Sequence, residues 1–398
     1  MRPLVILLSI AVMGSGLFNN FIPASAQTWT PTSAPTNNWT CIASSADGNK
    51  LVASGIRLTI PIYTSPDGGE TWTVTSAPSN TWNSVAASAD GNKLVAVQYD
   101  GGGLYGIYTS TNAGANWVTN NAPQAGWTSV ASSADGNKLV AVNNSPETIY
   151  TSTNGGMVWI QATNVPAAIW RSVASSADGN KLVAVNNYSS GPGTIYTSTN
   201  GGTVWTRATN APGANWTGVA SSADGTELIA VVNGGSVYTS MDSGTTWETN
   251  NLPLNDSWYA CASSADGKKL VAVSQKQGIY SSVDSGAHWT SNNAPHLNWE
   301  AVASSADGTR LMATAFGGGI WTAQLTPAPQ MNIAPANGNL ALSWIIPSTN
   351  FVLQQSLDLT GTNWMDVTNT PVFNLSNLQD QVTLALTNGS GFYRLATQ

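Results

Sequence analysis

Short apolar runs alternate with polar turns along most of the chain, and one such unit recurs seven times. Each copy reads W-x-x-[VIC]-A-[SA]-S-A-D-G, and the copies begin at Trp39, Trp82, Trp127, Trp170, Trp216, Trp258 and Trp299. Successive tryptophans are 41 to 46 residues apart. A four-stranded propeller blade takes about 40–45 residues, so this period predicts a β-propeller.

Within a unit, the hydrophobic pattern predicts four strands. In the third unit they are 127–133, 139–142, 149–152 and a fourth strand that begins at Trp159. The runs are β-branched or aromatic and are bounded by Asp-Gly, Asn-Gly or Pro, as hairpin meanders require. The second strand is apolar without alternation, which predicts a sheet covered on both faces by neighbouring blades.

A second turn of fixed spacing, Ser-x-Asp-x-Gly-x-x-Trp, stands before the fourth strand. It is complete at 65–72, 240–247 and 282–289, and Asn replaces Asp at 110–117, 152–159 and 198–205. These six motifs resemble the Asp-box, or BNR repeat, of secreted propellers. Ser and Asp or Asn side chains both bond backbone amides of their own turn, so we interpret the motif as a fold device.

The seventh unit has no such motif, and the missing piece stands at the other end of the chain. Residues 27–35 read Q-T-W-T-P-T-S-A-P, which copies the segment that follows the motif elsewhere, for example at 71–78. Trp29 would then replace the absent motif tryptophan. We predict that residues 27–33 form the outer strand of the last blade and close the ring.

The predicted fold class is all-β: a seven-bladed propeller with Asp-box turns over 27–325, followed by a small β-sandwich over 330–398. The second region has strand-like runs at 340–346, 351–357, 363–367, 381–386 and 391–395, and it resembles C-terminal modules of secreted bacterial proteins. Residues 1–26 read as a signal peptide, with Arg2 before an apolar core and an A-x-A site ending at Ala26. We expect a secreted, periplasmic or cell-surface protein with no membrane span.

Composition narrows the chemistry. The net charge is −7 and charged residues make up 8% of the chain, which argues against a nucleic-acid partner. The two cysteines, Cys41 and Cys261, fall in non-adjacent repeats and are predicted to be unpaired. His288 and His296 have no cluster of Cys or carboxylate ligands at metal-binding spacing in the sequence, so we predict no metal site and no cofactor. We also expect the protein to be a monomer.

Candidate binding residues fall on one side of the predicted propeller. The two regular turns share one face, whereas the loops between strands two and three and the blade connections share the other. That second face varies between repeats and carries aromatic and amide side chains suited to sugars or peptides. The candidates are Tyr99, Asp100, Tyr105, Trp170, Arg171, Asn187, Tyr188, Tyr259 and Glu300.

Three resemblances suggest different functions. Sialidase-type Asp-box propellers use an arginine triad, which this chain does not supply on one face. Xyloglucan-degrading glycosidases place two aspartates between paired propellers, and here only Asp100 and Glu300 stand out as candidate catalytic carboxylates. The photosystem II assembly factors are propellers that bind partner proteins without catalysis. We therefore predict a non-catalytic binding or scaffolding protein for a glycan or extracellular protein, with a glycoside hydrolase as the alternative.

Overall fold

The structure is a computed structural model that describes residues 29–56, 60–98, 106–144, 148–187, 191–250, 252, 256–324, 331–336, 339–345, 351–356, 365–374, 379–385 and 392–397. All regular secondary structure in these residues is β-strand. Seven antiparallel four-stranded units follow one another from the first tryptophan repeat to the last, each a blade of the propeller. The all-β, seven-bladed fold predicted from the repeat is confirmed.

The strands of the propeller are numbered in chain order. The first, β1 (Trp29–Pro31), belongs to the last blade. Blade one contains β2 (Trp39–Ser44), β3 (Leu51–Gly55), β4 (Tyr63–Ser65) and β5 (Thr73–Val74). Blade two contains β6 (Trp82–Ala87), β7 (Leu94–Gln98), β8 (Ile107–Ser110) and β9 (Val118–Thr119). Blade three contains β10 (Trp127–Ser132), β11 (Leu139–Asn143), β12 (Ile149–Ser152) and β13 (Ile160–Gln161).

The later blades repeat this order. Blade four contains β14 (Ile169–Ser175), β15 (Leu182–Asn187), β16 (Ile195–Ser198) and β17 (Thr206–Arg207). Blade five contains β18 (Trp216–Ser221), β19 (Leu228–Gly235), β20 (Val237–Ser240) and β21 (Glu248–Thr249). Blade six contains β22 (Asp256–Ser263), β23 (Leu270–Ser274), β24 (Gly278–Ser282) and β25 (Thr290–Ser291). Blade seven contains β26 (Trp299–Ser304), β27 (Arg310–Ala315) and β28 (Ile320–Gln324).

The outer strand of blade seven comes from the N-terminal part of the chain. β1 pairs antiparallel with β28, with Trp29 opposite Ala323. The pairing continues past the strand, where the Thr32 amide donates to the Ile320 carbonyl at 2.8 Å. The described start of the chain therefore supplies the strand that blade seven lacks in its own repeat.

Blades pack on one another through their inner strands. The second strand is buried along its whole length in blades one, two, three and six, for example in β11. Trp127 of blade three is fully buried and packs against Val95 and Val97 of blade two. Its ring also meets the ring of Tyr150 edge-on, with centroids 5.4 Å apart at 71°. Apolar residues on both faces of a strand are stable here because each face meets a neighbouring blade.

The first turn of each repeat locks the blades into a ring. At these turns, one alanine amide donates to the alanine carbonyl of the next blade at 2.6–2.8 Å, and the seventh bond returns to the first blade. The alanines are Ala46, Ala89, Ala134, Ala177, Ala223, Ala265 and Ala306. The same serine- and alanine-rich ends of the inner strands line a cavity of about 170 Å³. We call this end of the propeller the turn face.

The second turn is held by its own side chains. In blade one, the Ser65 hydroxyl donates to Asp67 Oδ1 at 2.8 Å and accepts from the Gly69 amide at 2.9 Å. In blade two, Asn112 Oδ1 takes the place of the carboxylate and accepts from Ser110 Oγ at 3.0 Å. An amide oxygen and a carboxylate oxygen thus serve the turn alike, because the required acceptor is the same.

Beyond the propeller, the described residues form two further antiparallel sheets. The first has the order β29 (Met331–Ala336), β30 (Asn339–Ile345), β34 (Gln379–Ala385) and β33 (Val372–Asn374). The second has the order β32 (Met365–Asp366), β31 (Phe351–Ser356) and β35 (Phe392–Thr397). Leu342 and Trp344 of the first sheet and Leu353 of the second share one buried apolar cluster.

Two details of the strand prediction were wrong. The pattern predicted no strand at β29 or β33, where polar residues and Pro335 hide the alternation. The outer strands also begin one residue after the motif tryptophan, as at Ile160 rather than Trp159. Pairing with the third strand starts one residue beyond the tryptophan, with Ile160 opposite Thr151.

Candidate ligand site at the tryptophan end of the inner strands

A bulge recurs at the start of every inner strand. In blade four, the register shifts between Trp170 and Ser172, so Arg171 has no partner on β15. The same shift occurs in the other six blades. A bulge re-aims the side chain of its extra residue. We call the seven re-aimed positions the mouth ring; they are Thr40, Asn83, Thr128, Arg171, Thr217, Tyr259 and Glu300.

Three members of the mouth ring tie their blade to the next one. Asn83 Nδ2 donates to the Trp127 carbonyl at 2.7 Å. Thr128 Oγ1 and Thr217 Oγ1 donate to the equivalent tryptophan carbonyls of the following blades at 2.8 and 2.9 Å. A short hydrogen-bonding side chain at this position therefore has a structural role in the scaffold.

Blades four, six and seven depart from this pattern with larger or charged side chains. Glu300 is only 8% exposed, and its Oε1 accepts from Gln275 Nε2 at 2.8 Å. The Tyr259 hydroxyl also donates to the Glu300 carboxylate. Burying a carboxylate is costly unless hydrogen bonds compensate it, and here the amide and the phenol both do so.

Burial and the contact with Glu300 raise the pKa of Tyr259. Burial, the negative charge of Glu300 and the hydrogen bond to it together raise the pKa of the phenol to about 12, and the positive charge of Arg171 opposes them. The phenol therefore stays protonated and acts as a donor at neutral pH. The residue as a whole is 36% exposed, so Tyr259 is accessible from the surface.

The charge of Arg171 affects the pKa of Tyr259 although blade five lies between their strands. The guanidinium is exposed and makes no hydrogen bond or ion pair with any residue that the structure describes. Its planar set of donors suits carbonyl, hydroxyl or carboxylate oxygens of a ligand. Three of the sequence-predicted candidates, Arg171, Tyr259 and Glu300, are thus brought to one ring.

The remaining candidates are placed elsewhere or lie outside the described residues. Trp170 is fully buried in the core between blades three and four, so its side chain offers no surface to a ligand. It was chosen for its aromatic ring, but that ring serves packing. Asn187 is half-buried, and its Nδ2 donates to Asn215 Oδ1 at 2.7 Å. The candidates outside the described residues are Tyr99, Asp100, Tyr105 and Tyr188.

Sequence reasoning missed Gln275. It lies in the loop between β23 and β24 of blade six and holds the carboxylate of the next blade. The loop was recognised as variable, but nothing in its sequence indicates which side chain reaches Glu300. That contact depends on the distance between blades, which only the closed ring sets.

Within the described ranges, no three His, Cys, Asp or Glu side chains are grouped so as to hold a metal ion. No membrane-spanning helix is found among those residues either. Both cysteines are free thiols; Cys41 is buried, and burial raises its pKa to about 12.

Comparisons with known proteins bear on the fold. No model of a protein family matches the chain, and no curated protein matches it. Several solved structures are similar to the chain. YCF48 bound to D1 peptide superposes with a TM-score of 0.58 at 17% identity, covering 77% of this chain and 99% of the other. YCF48 from Cyanidioschyzon merolae gives 0.57 at 18% identity, covering 75% and 99%.

A glycoside hydrolase propeller is also similar. The GH74 xyloglucanase from Xanthomonas campestris superposes with a TM-score of 0.58 at 14% identity, covering 80% of this chain and 59% of the xyloglucanase chain. At such identities the likeness extends to the fold alone. This chain is a β-propeller, and its structural neighbours include both a protein that binds a peptide and an enzyme.

Proposed function

We propose that this chain is an exported, non-catalytic binding or scaffolding propeller that recognises a glycan or an extracellular protein. The observation that carries the proposal is the mouth ring. The repeat favours a short structural side chain there, yet three blades carry Arg171, Tyr259 and Glu300, and the charges of Glu300 and Arg171 both affect the pKa of Tyr259. Glu300 is held by Gln275 and Tyr259 instead of bonding a tryptophan carbonyl. The Arg171 guanidinium makes no hydrogen bond with any described residue, which supports a role for it in binding.

The proposed binding surface is the face opposite the turn face. It comprises the exposed members of the mouth ring and the loops between second and third strands, with Tyr99, Asp100, Tyr105, Asn187 and Tyr188 as further candidates. Trp170 is left out because it is buried. The turn face is made of repeated short turns, whereas the loop face differs from blade to blade, as a specific binding surface must.

The neighbours are consistent with this proposal. One YCF48 structure contains a bound D1 peptide, so a protein of similar fold binds a peptide. The xyloglucanase is compatible with the alternative, a glycoside hydrolase, for which Glu300 and Asp100 are the candidate carboxylates. Such an enzyme needs two carboxyl groups about 5–10 Å apart, one on each side of the scissile bond.

The wider organisation is part of the same proposal. Residues 1–26 would direct export, with cleavage near Ala26, and the six serine-containing turns would be true Asp-boxes. Residues 27–325 would form the propeller domain and 330–398 a β-sandwich, whose two sheets share the cluster around Leu342 and Leu353. The mature protein would be a monomer without a cofactor.

One experiment separates binding from hydrolysis. The mature chain is applied to glycan and peptide arrays, and in parallel to a panel of chromogenic glycosides. We expect saturable binding without turnover. Turnover that is abolished by Glu300→Gln or Asp100→Asn would refute the binding proposal and establish the hydrolase.

A further inference from the structure

We infer that the mouth ring binds an uncharged sugar residue, the end of a neutral glycan, between Glu300 and Arg171. This inference rests on the proposed binding function and specifies its ligand. It starts from the order of the seven blades, in which blade seven adjoins blade one and blade three adjoins blade four. The consecutive positions Thr40, Asn83 and Thr128 are therefore flanked by Glu300 on one side and Arg171 on the other.

The size of these side chains makes the ring uneven. Blades one, two and three carry short side chains, two of which keep to the inter-blade carbonyls. The large side chains stand in blades four, six and seven. The three short side chains are smaller than Arg171, Tyr259 and Glu300, so we place the ligand on their side of the ring, with the guanidinium toward one end and the carboxylate toward the other.

The charges of the ring select the class of ligand. Arg171 and Glu300 are its two charged members, one of each sign, and the other five are neutral. An anionic group attracted to Arg171 is opposed by Glu300, and a cationic group meets the reverse. A hydroxyl group both donates and accepts, so a pair of sugar hydroxyls satisfies both residues without an unpaired charge.

The remaining contacts fit the same class. Tyr259 is partly exposed next to Glu300, and an aromatic side chain is able to pack on the apolar face of a sugar. Gln275 holds Oε1 of Glu300 in place, so the carboxylate is oriented before the ligand arrives. A pre-oriented acceptor lowers the entropic cost of binding a flexible glycan.

The test uses the mature chain and two sets of probes. The neutral set contains gluco-, xylo-, manno- and galacto-oligosaccharides; the acidic set contains polygalacturonate and alginate oligosaccharides, with a peptide array beside both. Affinity is measured by calorimetry, and thermal unfolding verifies that each variant is folded. The variants are Glu300→Gln, Tyr259→Ala, Tyr259→Phe and Arg171→Gln. The matched control is Glu248→Gln, an exposed glutamate on the outer strand of blade five.

We expect at least one neutral oligosaccharide to bind, and Glu300→Gln to weaken it by about tenfold or more, as loss of a charge-assisted hydrogen bond does. Tyr259→Ala should weaken it further than Tyr259→Phe, which keeps the ring. Glu248→Gln should leave the affinity unchanged.

Other outcomes overturn the inference in distinguishable ways. If acidic oligosaccharides or a peptide bind preferentially and Arg171→Gln abolishes that binding, the ligand is not a neutral sugar. The proposed binding face would then still stand. If a neutral oligosaccharide binds with an affinity that Glu300→Gln and Tyr259→Ala do not change, the mouth ring is not the binding site. Failure to bind any probe on the arrays counts against both the inference and the proposed function.

Discussion

Trp29→Ala is expected to open the propeller ring. Trp29 is 6% exposed and lies in the apolar cluster between blades six and seven. Its ring is 6.0 Å from that of Trp299, the inner tryptophan of blade seven. The substitution therefore removes a buried aromatic side chain from the one outer strand that is distant in sequence from its own blade.

The expected cost follows from burial. Truncating a buried tryptophan to alanine destabilises a protein by about 3–5 kcal/mol. An additional loss is expected because, within the described residues, β1 is held to β28 by three paired residues and the bond from the Thr32 amide, and this short pairing would fray without its anchor. An unpaired β28 would then expose an edge strand.

Urea unfolding of the mature chain measures this effect, with Trp247→Ala as the matched control. Trp247 is 9% exposed and has the same position in blade five, where the outer strand follows its blade directly. We expect both variants to lose at least about 3 kcal/mol. If Trp29→Ala loses less than about 1 kcal/mol while Trp247→Ala loses the full amount, β1 does not close the ring in solution.

Three further predictions concern the turns and the thiols. Asp67→Asn should change the free energy of unfolding by less than about 1 kcal/mol, because Asn112 has the same role in the turn of blade two. Ser65→Ala leaves the buried Gly69 amide unpaired and should cost about 1–3 kcal/mol. Equal losses for the two variants in urea unfolding would contradict this prediction. Seven turn aspartates have lowered pKa values because, although burial raises them, hydrogen bonds to the carboxylates outweigh it: Asp67, Asp90, Asp135, Asp178, Asp224, Asp242 and Asp284. Their contribution is complete above the unfolded pKa of about 4 and is lost as the pH falls through the lower folded values, so the urea midpoint should drop between pH 5 and 2, and a constant midpoint would refute the assignment. Cys41 and Cys261 should resist alkylation at neutral pH in the folded protein and react after unfolding, because burial raises the pKa of both thiols. Mass spectrometry measures the labelling, and rapid labelling of the native protein would contradict this prediction.

The architecture was readable from the sequence because it depends on local and repeated signals. The tryptophan period set the number of blades, and the turn residues set the hairpins within each blade. The N-terminal copy of the outer strand was visible because Trp29 and its neighbours repeat a segment found after the other turns. Each of these signals needs only a few consecutive residues, and repetition makes them reliable.

The candidate site was only partly readable. Arg171, Tyr259 and Glu300 belong to the variable face that the repeat predicts, but the same reasoning includes Trp170, which is buried. A tryptophan and its neighbour in a strand point in different directions, and the bulge alters that alternation in a way that the residue pattern does not show. Gln275 was overlooked for a related reason, because its partner belongs to the next blade.

By itself, then, the sequence determined the strands, the turns and the count of blades, since these follow from hydrogen bonding and burial within one repeat. The tertiary structure alone decided which side chains meet. Arg171, Tyr259 and Glu300 are up to 129 residues apart, and they share a ring because seven blades close around one axis. Packing of blade six against blade seven decided that the Glu300 carboxylate is buried and held by Gln275.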